Sequence, residues 1–471
     1  MLTKASLAPR ALRQERRERA EPLRILLVSH YFPPENVIGA VRVGKFAKFL
    51  KEAGHDIRVL AADTSGDRSL PLEVPAEWVT YVPARQVGAI FDLLVGFVRR
   101  LDWHPVPAQE RPSATAAAES SPARIADALR RHYYALLQIP DKSAGWIKPA
   151  MGVGKGIAHD WRPDLVFASG PPHSTLIAAR HIARSCAAPW IAELRDLWSD
   201  NPYYEYPRWR WWLDRLIERR VLADAAGLVT VTPTQAEILR RHYQQPVACV
   251  LNGYADEDFP ADRPGPPPGE VVSIVYTGSI YVGYRDPSTL FQAIALLGAE
   301  RERVAVHFYG PAKAEVHRLP AAAAVREQIF VHDRVPYRTS LALQAAADVL
   351  LVLQWADPRD AGNIPAKFFE YLGAHRPILM LGWERGDLAE MIRTRKAGLV
   401  SNDPATIAAQ LQRWIGERPA GIPPVAAEAR AGVTRSAQFR ALELFLSELF
   451  GKVRASPATG PSRRPVPSDP L

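Results

Sequence analysis

The strongest constraint on the fold of this 471-residue chain is an alternation of short apolar runs with amphipathic stretches. The run RILLVS at 24–29 is nearly all apolar, which is typical of a parallel strand buried on both faces. A helical spacing of apolar residues from Gly39 to Ala53 follows, and then a second apolar run, IRVLAA, at 57–62. This order predicts that the fold opens with a β–α–β unit.

The alternation forms two blocks. After an irregular region at about 64–160 it resumes and continues to 251, and a second block begins at 271. Two such blocks predict an α/β fold with two domains whose parallel sheets face each other across a cleft. Ligands of such sheets bind beyond the C-terminal ends of the strands, so the cleft is the expected site. The later predicted strands are 164–169, 190–193, 228–232, 247–251, 271–276, 304–309, 328–331, 349–353 and 377–381, and the later helices are 173–187, 209–226, 233–243, 286–298, 337–347, 366–373, 387–394 and 404–417.

Composition sets the boundaries of these domains. A basic arm at 1–22 and a Pro-rich basic tail at 451–471 have the composition of disordered segments. Between them we predict an N-terminal domain at 23–253, a linker at 254–270, a C-terminal domain at 271–433 and a last helix at 434–450.

Composition also excludes several classes of protein. Apolar residues make up 47% of the chain and charged residues 23%, which is a globular balance. Cys186 and Cys249 provide neither a disulfide framework nor the spacing of a zinc site, which favours a reduced, cytoplasmic compartment. No apolar run reaches the ~18 residues of a membrane span. The charged N-terminus lacks the apolar core of a secretory signal.

The net charge of +9 favours an acidic partner, which is a nucleotide, a nucleic acid or an anionic lipid. Residues 1–24 and 451–471 supply seven of the nine excess charges, which argues against a nucleic-acid-binding protein. A stripe at 87–103 suits an anionic membrane surface, because its apolar residues share one helical face beside Arg99 and Arg100. Packing of this stripe against the domain core is the alternative. Its members are Ile90, Phe91, Leu94, Phe97, Val98 and Leu101.

Motifs of metal and nucleophile chemistry are absent from the sequence. There is no HExxH, GxSxG, P-loop or EF-hand pattern. The first strand is followed by SHYFPPENVIGAVR and not by GxGxxG, which disfavours a dinucleotide-binding dehydrogenase. The acidic run Asp256-Glu257-Asp258 lies in the predicted linker, and we interpret it as a solvated turn.

The segment NIPAKFFEYLGAHRPILML at 363–381 is the most informative one for chemistry. Pro365 is suited to the start of a helix, and Lys367 and Glu370 are three residues apart on one face. A lysine in the first turn of a helix at the cleft edge of a parallel sheet suits a phosphate, and the carboxylate suits ribose hydroxyls. A surface ion pair between Lys367 and Glu370 is the alternative.

This segment resembles the donor-binding motif of retaining glycosyltransferases of family 4, which have the GT-B fold of two Rossmann-like domains. Glu370 matches the second glutamate of the family motif, which binds the donor ribose. The first glutamate is replaced by Gly362. Further segments resemble the family in order: LLVSHYFPPENVIGAVR with Ile38 and Gly39 in the acceptor-side loop, IPDKSAGWIKPA, PDLVFASGPPHS, APWIAELRDLWSDNP, VLNGYADEDF and YTGSIYVGYRDPSTLFQAI.

Gly278 and Arg285 complete the predicted donor site. The glycine allows backbone N–H groups to approach a phosphate, and the arginine can bind it through two hydrogen bonds. A plain turn with an Arg285–Asp286 surface pair is the alternative.

On the other side of the cleft, His173, Arg195 and Asp196 are the candidates for catalytic or acceptor geometry, and His30 is a weaker one. A capping or solvent-facing His173 and a buried Arg195–Asp196 ion pair are the alternatives. Residues Trp209, Trp211 and Trp212 suit packing or a membrane better than catalysis.

The resemblance implies a cytoplasmic enzyme that transfers a sugar, with retention, from a nucleotide-diphospho-sugar to a glycan or lipid-linked acceptor of the cell envelope. It implies no essential metal or other cofactor. A nucleotide-sugar epimerase of the same fold is one alternative. An inactive nucleotide-binding member of the family is another, because Gly362 stands at the first glutamate position.

Overall fold

The computed structural model describes residues 22–84, 133–280, 283–311 and 313–455, and the side chains of 451–455 are not included. The basic arm, the apolar stripe at 87–103 and most of the tail lie outside these residues. The described chain forms two α/β domains, each built on one parallel sheet, as the sequence predicts.

The N-terminal sheet has seven strands in the order β3-β2-β1-β4-β5-β6-β7. All of its pairs are parallel, and Ile25 lies opposite both Ile57 and Leu165. The order of the strands reverses between β1 and β4, which is where such sheets bind ligands. The strands are β1 Arg24–Ser29, β2 Asp56–Asp63, β3 Val79–Pro83, β4 Leu165–Gly170, β5 Trp190–Leu194, β6 Gly227–Thr230 and β7 Val247–Cys249.

Helices cover both faces of this sheet because its central strands are apolar on both faces. Ala150 of α2 and Ile182 of α3 pack on one face, and Phe46 of α1 packs on the other. The helices are α1 Ile38–Glu52, α2 Ile147–Trp161, α3 Ser174–Cys186, α4 Arg208–Leu222 and α5 Pro233–His242.

The C-terminal sheet has six parallel strands in the order β10-β9-β8-β11-β12-β13. One of its faces packs on α6 and α11, and the other packs on α8, α9 and α10. Its strands are β8 Val272–Thr277, β9 Val304–Tyr309, β10 Ile329–His332, β11 Val349–Leu353, β12 Ile378–Leu381 and β13 Gly398–Val400, and its helices are α6 Ser288–Leu296, α7 Lys313–His317, α8 Tyr337–Ala345, α9 Ala366–Gly373, α10 Asp387–Thr394 and α11 Pro404–Glu417.

A last helix, α12 Arg435–Ala455, returns to the N-terminal domain. Its Phe439 side chain is buried with Phe46 of α1, and the two ring centroids are 5.1 Å apart. The helix runs beyond the expected limit at 450. No helix in the described part of the chain is both long and apolar enough to cross a bilayer.

The structure corrects three expectations. The region at 64–160 is not wholly irregular, since it holds β3 and α2. The segment 254–270 is not wholly a free linker, because Tyr254 and Phe259 are buried in the core of the C-terminal domain. The acidic turn at 256–258 is not wholly solvated, because the buried carboxylate of Asp258 pairs with Lys45 at 2.6 Å and with Arg435 at 3.0 Å.

Candidate active site

The predicted site residues lie in loops that follow strands or on the helices α1 and α9, on the two walls of the cleft. Arg195 and Asp196 follow β5, and Gly278 follows β8. The domains touch beside the cleft, where Thr234 donates to Asp387 through its backbone N–H at 2.9 Å and its hydroxyl at 2.8 Å. Tyr337 of α8 belongs to the same small apolar cluster as Ala40 of α1, so the start of α1 also meets the C-terminal domain.

Lys367 and Gly278 are in direct contact on the C-terminal wall. The Lys367 ammonium donates to the carbonyl oxygen of Thr277 at 2.8 Å and lies 4.0 Å from the centroid of the Tyr276 ring. Gly278 has a φ of +137°, and a Cβ there would lie 2.5 Å from Lys367 Nζ. The backbone N–H of Gly278 donates to Tyr309, so it is not directed at a phosphate as expected. The glycine makes room for the lysine.

The electrostatic setting of Lys367 is unusual. The pKa of its ammonium is lowered to about 7, mainly by burial and then by the nearby Arg285 guanidinium, while Glu370 opposes the shift. Arg285 also lowers the pKa of the Tyr276 hydroxyl, which burial raises to about 12 overall. Two cationic side chains therefore share one partly desolvated corner, which is the arrangement that an anionic ligand stabilises.

Asp286 has a structural role beside this corner. Its carboxylate accepts from the backbone N–H of Ser288 at 2.8 Å and from the Ser288 hydroxyl at 2.6 Å, at the start of α6. This arrangement fixes the turn that carries Arg285.

Glu370 lies one turn after Lys367 on α9 and is buried. Its carboxylate accepts from Gln344 at 3.3 Å. Burial raises the pKa of this carboxyl, and the charge of Arg435 opposes the shift most strongly. A surface ion pair between Lys367 and Glu370 is therefore wrong as an interpretation of this segment, because Glu370 is only 7% exposed.

Gly362, which stands where the family has its first glutamate, lies against the N-terminal domain. Its carbonyl oxygen accepts from the Thr232 hydroxyl at 2.8 Å. A Cβ at this position would lie 2.8 Å from Thr234 Cγ2, so this arrangement of the domains leaves no room for a larger side chain.

Asp360 is a buried carboxylate that the sequence analysis missed. One of its oxygens accepts from the Tyr203 hydroxyl of the opposite domain at 2.8 Å, and the other is buried without a partner among the described residues. Burial raises the pKa of Asp360. Its only signal in the sequence is a charged residue in the loop after a buried strand.

On the N-terminal wall, His173 stacks on Trp198 with ring centroids 4.7 Å apart. Burial lowers the pKa of its imidazole to about 4, so the ring is neutral near pH 7. Its Nδ1 atom is buried and has no partner within the described part of the chain. Asp141 accepts from the backbone N–H groups of Ser143 and Ser174, both at 2.9 Å, and so fixes the turn before α3. His173 is not solvent-facing, and although it occupies the N-cap position of α3, its side chain makes no capping hydrogen bond.

Arg195 lies beside Gly39. Its guanidinium donates to the carbonyl oxygens of Gly170, at 3.1 Å, and Pro171, while its Nη1 is buried without a partner in the described residues. A side chain at Gly39 would collide with this nitrogen, and the neighbouring Ile38 is exposed. Burial lowers the pKa of Arg195.

Asp196 is exposed, so a buried ion pair with Arg195 is wrong. The carboxylate stays open to solvent at the cleft, yet the surrounding protein desolvates it and raises its pKa, with Arg195 opposing the shift.

His30 contributes a second neutral imidazole to this wall. Its ring packs edge-on against Trp146, with centroids 5.2 Å apart, and its Nε2 lies 3.4 Å from the Ser143 hydroxyl. Burial lowers the pKa of His30 to about 4.

A buried ion pair supports this wall from behind. Arg42 of α1 binds Glu193 of β5 at 2.8 Å and donates to the carbonyl oxygens of Val250 and Leu251. The sequence analysis missed this pair, although a charged residue in each of two apolar elements was a usable signal. Among the described residues, no group of three or more His, Cys, Asp or Glu side chains could hold a metal ion.

Comparisons with known proteins agree with this arrangement. Residues 39–255 match the family described as "Glycosyl transferase 4-like domain". A glycosyltransferase from Rickettsia africae is 12% identical with a TM-score of 0.56, and the alignment covers 91% of this chain and 99% of that one. Anabaena Alr3699/HepE in complex with UDP and glucose is 11% identical with a TM-score of 0.54, and 91% and 99% of the chains are covered. No curated protein matches the sequence of this chain.

A third similar structure is the α,α-trehalose 6-phosphate synthase of Burkholderia multivorans, at 16% identity and a TM-score of 0.53 over 95% of this chain and 100% of that one. The chain therefore has the GT-B fold, and residues 39–255 are similar to the glycosyl transferase 4-like family. These findings support a glycosyltransferase type of function.

Proposed function

We propose that this protein is a retaining glycosyltransferase that transfers a hexose from a nucleotide-diphospho-sugar to a glycan or lipid-linked acceptor without a metal ion. The observation that carries the proposal is the buried Lys367 ammonium, which lies against Gly278 at the C-terminal wall and whose pKa is lowered by burial and by the charge of Arg285. A diphosphate is the part of the donor that such a corner suits. The UDP bound by the similar Anabaena protein is a ligand of that chemical class.

The residues allow the reaction to be followed bond by bond. The bond between the anomeric carbon and the diphosphate oxygen breaks, and Lys367 and Arg285 stabilise the negative charge that grows on the diphosphate. For retention, the acceptor oxygen forms the new bond to the anomeric carbon on the face from which the diphosphate leaves, and it loses its proton. Asp196, which is open to the cleft and has a raised pKa, is placed to accept that proton.

The neutral imidazole of His173 is suited to a sugar hydroxyl, because its buried Nδ1 lacks a partner among the described residues and carries no competing charge. Glu370 would accept from the ribose of the nucleotide, as the resemblance to family 4 implies. Asp360 is two residues before Gly362 and accepts from the Tyr203 hydroxyl with one carboxylate oxygen. Its second carboxylate oxygen can accept from a hydroxyl of the donor sugar.

A panel of UDP-, GDP- and ADP-sugars tests the proposal by thermal shift. A donor at about 100 times its Kd should stabilise the fold by about 2.7 kcal/mol. With that donor, NMR of the released sugar or product should show the anomeric configuration of the donor, and EDTA should leave the rate unchanged. Nucleotide binding without turnover on any acceptor would instead identify an inactive member of the family. No binding of any nucleotide-sugar would contradict the proposal.

A further inference from the structure

Helix α4 differs from an ordinary surface helix because it buries four charged side chains while it exposes three large apolar ones. Arg210 and Asp214 form an ion pair at 2.9 Å, with side chains 0% and 1% exposed. In contrast, Trp212 is 69% exposed and Leu216 is 63% exposed, and Trp209 is 39% exposed. The exposed apolar face therefore does not serve the packing of the domain.

The buried charges of α4 hold two loops in place. Arg210 donates to the carbonyl oxygens of Gln138 at 2.7 Å and Pro140 at 2.9 Å, so it fixes the segment that leads to α2. Glu218 accepts from the backbone N–H of Ser199 at 3.1 Å, and Arg215 binds Asp200 at 2.7 Å. The second loop lies between Asp196 and Tyr203, at the cleft. The inner face of α4 thus positions the site.

The outer face combines apolar and basic residues in one stripe. Arg208, Trp212, Leu216 and Arg220 follow each other at intervals of four, so they share a face, and Arg219 adjoins Arg220. All five are exposed. In the loop that Arg210 fixes, two more leucines at 136 and 137 are exposed.

We propose that this outer face of α4 is a docking surface for an anionic lipid bilayer. Tryptophan is enriched at the membrane interface, where its ring has an apolar and a polar side. Arginines at both ends of the stripe can bind lipid phosphates while the apolar centre enters the headgroup boundary. Docking would bring the loop from Asp196 to Tyr203 close to the lipid, which suits a lipid-linked acceptor. That last link alone rests on the proposed function.

The charges favour lipid over a cover formed by the chain itself. The segment at 85–132 joins the described chain at Tyr133, close to α4, so its apolar stripe at 87–103 is the alternative cover for Trp212. However, this segment carries seven arginines against five acidic residues, so it does not complement the exposed arginines of α4. An anionic surface does.

Vesicle co-sedimentation of the full chain tests the proposal. We expect binding to vesicles of phosphatidylglycerol and phosphatidylcholine, little binding to phosphatidylcholine alone, and a marked loss between ~0.1 M and ~1 M salt, where the Debye length falls from about 10 Å to about 3 Å. The double variant Trp212→Glu, Leu216→Glu should bind roughly tenfold or more weakly. The triple variant Arg208→Glu, Arg219→Glu, Arg220→Glu should bind roughly 100-fold more weakly.

Matched controls lie on the C-terminal domain. Leu296→Glu replaces an equally exposed leucine, and Arg301→Glu, Arg326→Glu, Arg413→Glu reverses three exposed arginines. Both controls should lose only the part of vesicle binding that depends on net charge. They should therefore bind clearly better than the α4 variants. Far-UV circular dichroism and donor binding in solution should be unchanged in every variant, because α4 lies outside the donor site.

Three results would overturn the proposal. The first is equal sedimentation of the α4 variants and the parent chain. The second is equal loss in the charge-matched controls, which would show attraction through net charge only. The third is loss of binding in Phe91→Asp, Phe97→Asp with full binding in the α4 variants, which would place docking at 87–103. Failure of the proposed glycosyl transfer with intact vesicle binding would leave the docking surface standing.

Discussion

The two walls of the cleft differ in the charge of their titratable groups. On the C-terminal wall, burial and Arg285 bring the pKa of the Lys367 ammonium down to about 7, so the corner is short of negative charge. On the N-terminal wall, burial lowers the pKa of His30 and His173 to about 4, so both rings are neutral near pH 7. An anion stabilises the cations of the first wall, whereas the two neutral imidazoles of the second wall suit neutral hydrogen-bonding groups. Under the proposed function, this difference suits the diphosphate to the first wall and sugar hydroxyls to the two imidazoles of the second.

The walls also share a device, which is a glycine that allows a cation to approach the backbone. Lys367 lies against Gly278, and Arg195 lies against Gly39. Only Gly278 also has a φ in the left-handed region, at +137°, which L side chains rarely adopt. A substitution at Gly278 therefore disturbs both the backbone and the lysine, while one at Gly39 disturbs only the contact with the arginine.

The largest effect is expected from removing a cation of the C-terminal wall. Lys367→Ala and Arg285→Ala should each lower turnover roughly 10²-fold or more, the scale of losing one preorganised charge donor. Initial rates with the donor identified by the thermal-shift panel measure this loss. Lys313→Ala, which removes an exposed lysine elsewhere in the same domain, is the control. Rates near those of the parent chain in both site variants would show that the diphosphate binds elsewhere.

The lowered pKa of Lys367 predicts that nucleotide binding depends on pH. Below pH 7 the ammonium is charged before the ligand arrives, and above pH 7 binding must first add a proton. The Kd for a nucleoside diphosphate should therefore rise with pH above about 7, by up to about tenfold per pH unit. Calorimetry between pH 6 and 9 in ~0.1 M salt measures the slope.

Lys367→Arg is the sharpest control for this slope, because a guanidinium keeps its charge through this range. The slope should flatten in the variant even if its affinity is lower at every pH. A slope of the same size in Lys367→Arg would assign the titration to another group of the protein.

Glu370→Gln should have a smaller effect than the loss of either cation. The variant keeps the shape of the side chain but loses the charged acceptor. A hydrogen bond from a ribose hydroxyl to a charged acceptor strengthens nucleotide binding by roughly tenfold relative to a neutral one. We expect the Kd for the nucleotide to rise while turnover at saturating donor stays close to that of the parent chain. Glu417→Gln, at an exposed position of α11, controls for the change in net charge. A fall in turnover at saturation with an unchanged Kd would contradict a role in ribose binding.

The sequence was sufficient for most of the fold because the central strands are apolar runs of the length that buried parallel strands require. Strand β3 was missed because VTYVP lies at the sheet edge and is only partly buried. Helix α2 was missed because three glycines and a proline interrupt its pattern. One of these glycines, Gly154, is needed for packing, since a Cβ there would lie within 3 Å of both Ile182 and Leu60.

Spacing in the sequence revealed only Lys367 and Glu370, and the match of further segments to family 4 was needed to add Gly278 and Arg285 to the predicted donor site. Lys367 and Glu370 share one helical turn, and their spacing was visible. Asp360 was missed because its partner, Tyr203, is 157 positions away. A single sequence does not show such a pairing. The same holds for the buried state of a titratable group, which depends on what packs over it.

The smallest expected effect comes from the contact that joins the two walls. Tyr203→Phe removes the hydroxyl that donates to Asp360 across the cleft, while the ring can keep its stacking on Trp355. One hydrogen bond to a buried carboxyl contributes roughly 1 kcal/mol, so KM for the donor should rise a few-fold. Tyr204→Phe is the matched control, because its hydroxyl bonds Asp214 at 2.7 Å within the N-terminal domain.

Small-angle scattering separates this effect on closure from an effect on the site. If the contact stabilises the closed cleft, the radius of gyration of Tyr203→Phe without ligand should exceed that of Tyr204→Phe, and saturating donor should bring the two together. Hinge closure of this kind is a shift between two populated states, and a loss of ~1 kcal/mol changes their ratio about fivefold. Suppose that the two variants scatter identically and that KM still rises in Tyr203→Phe. Tyr203 would then act on the donor directly, and closure would not depend on it.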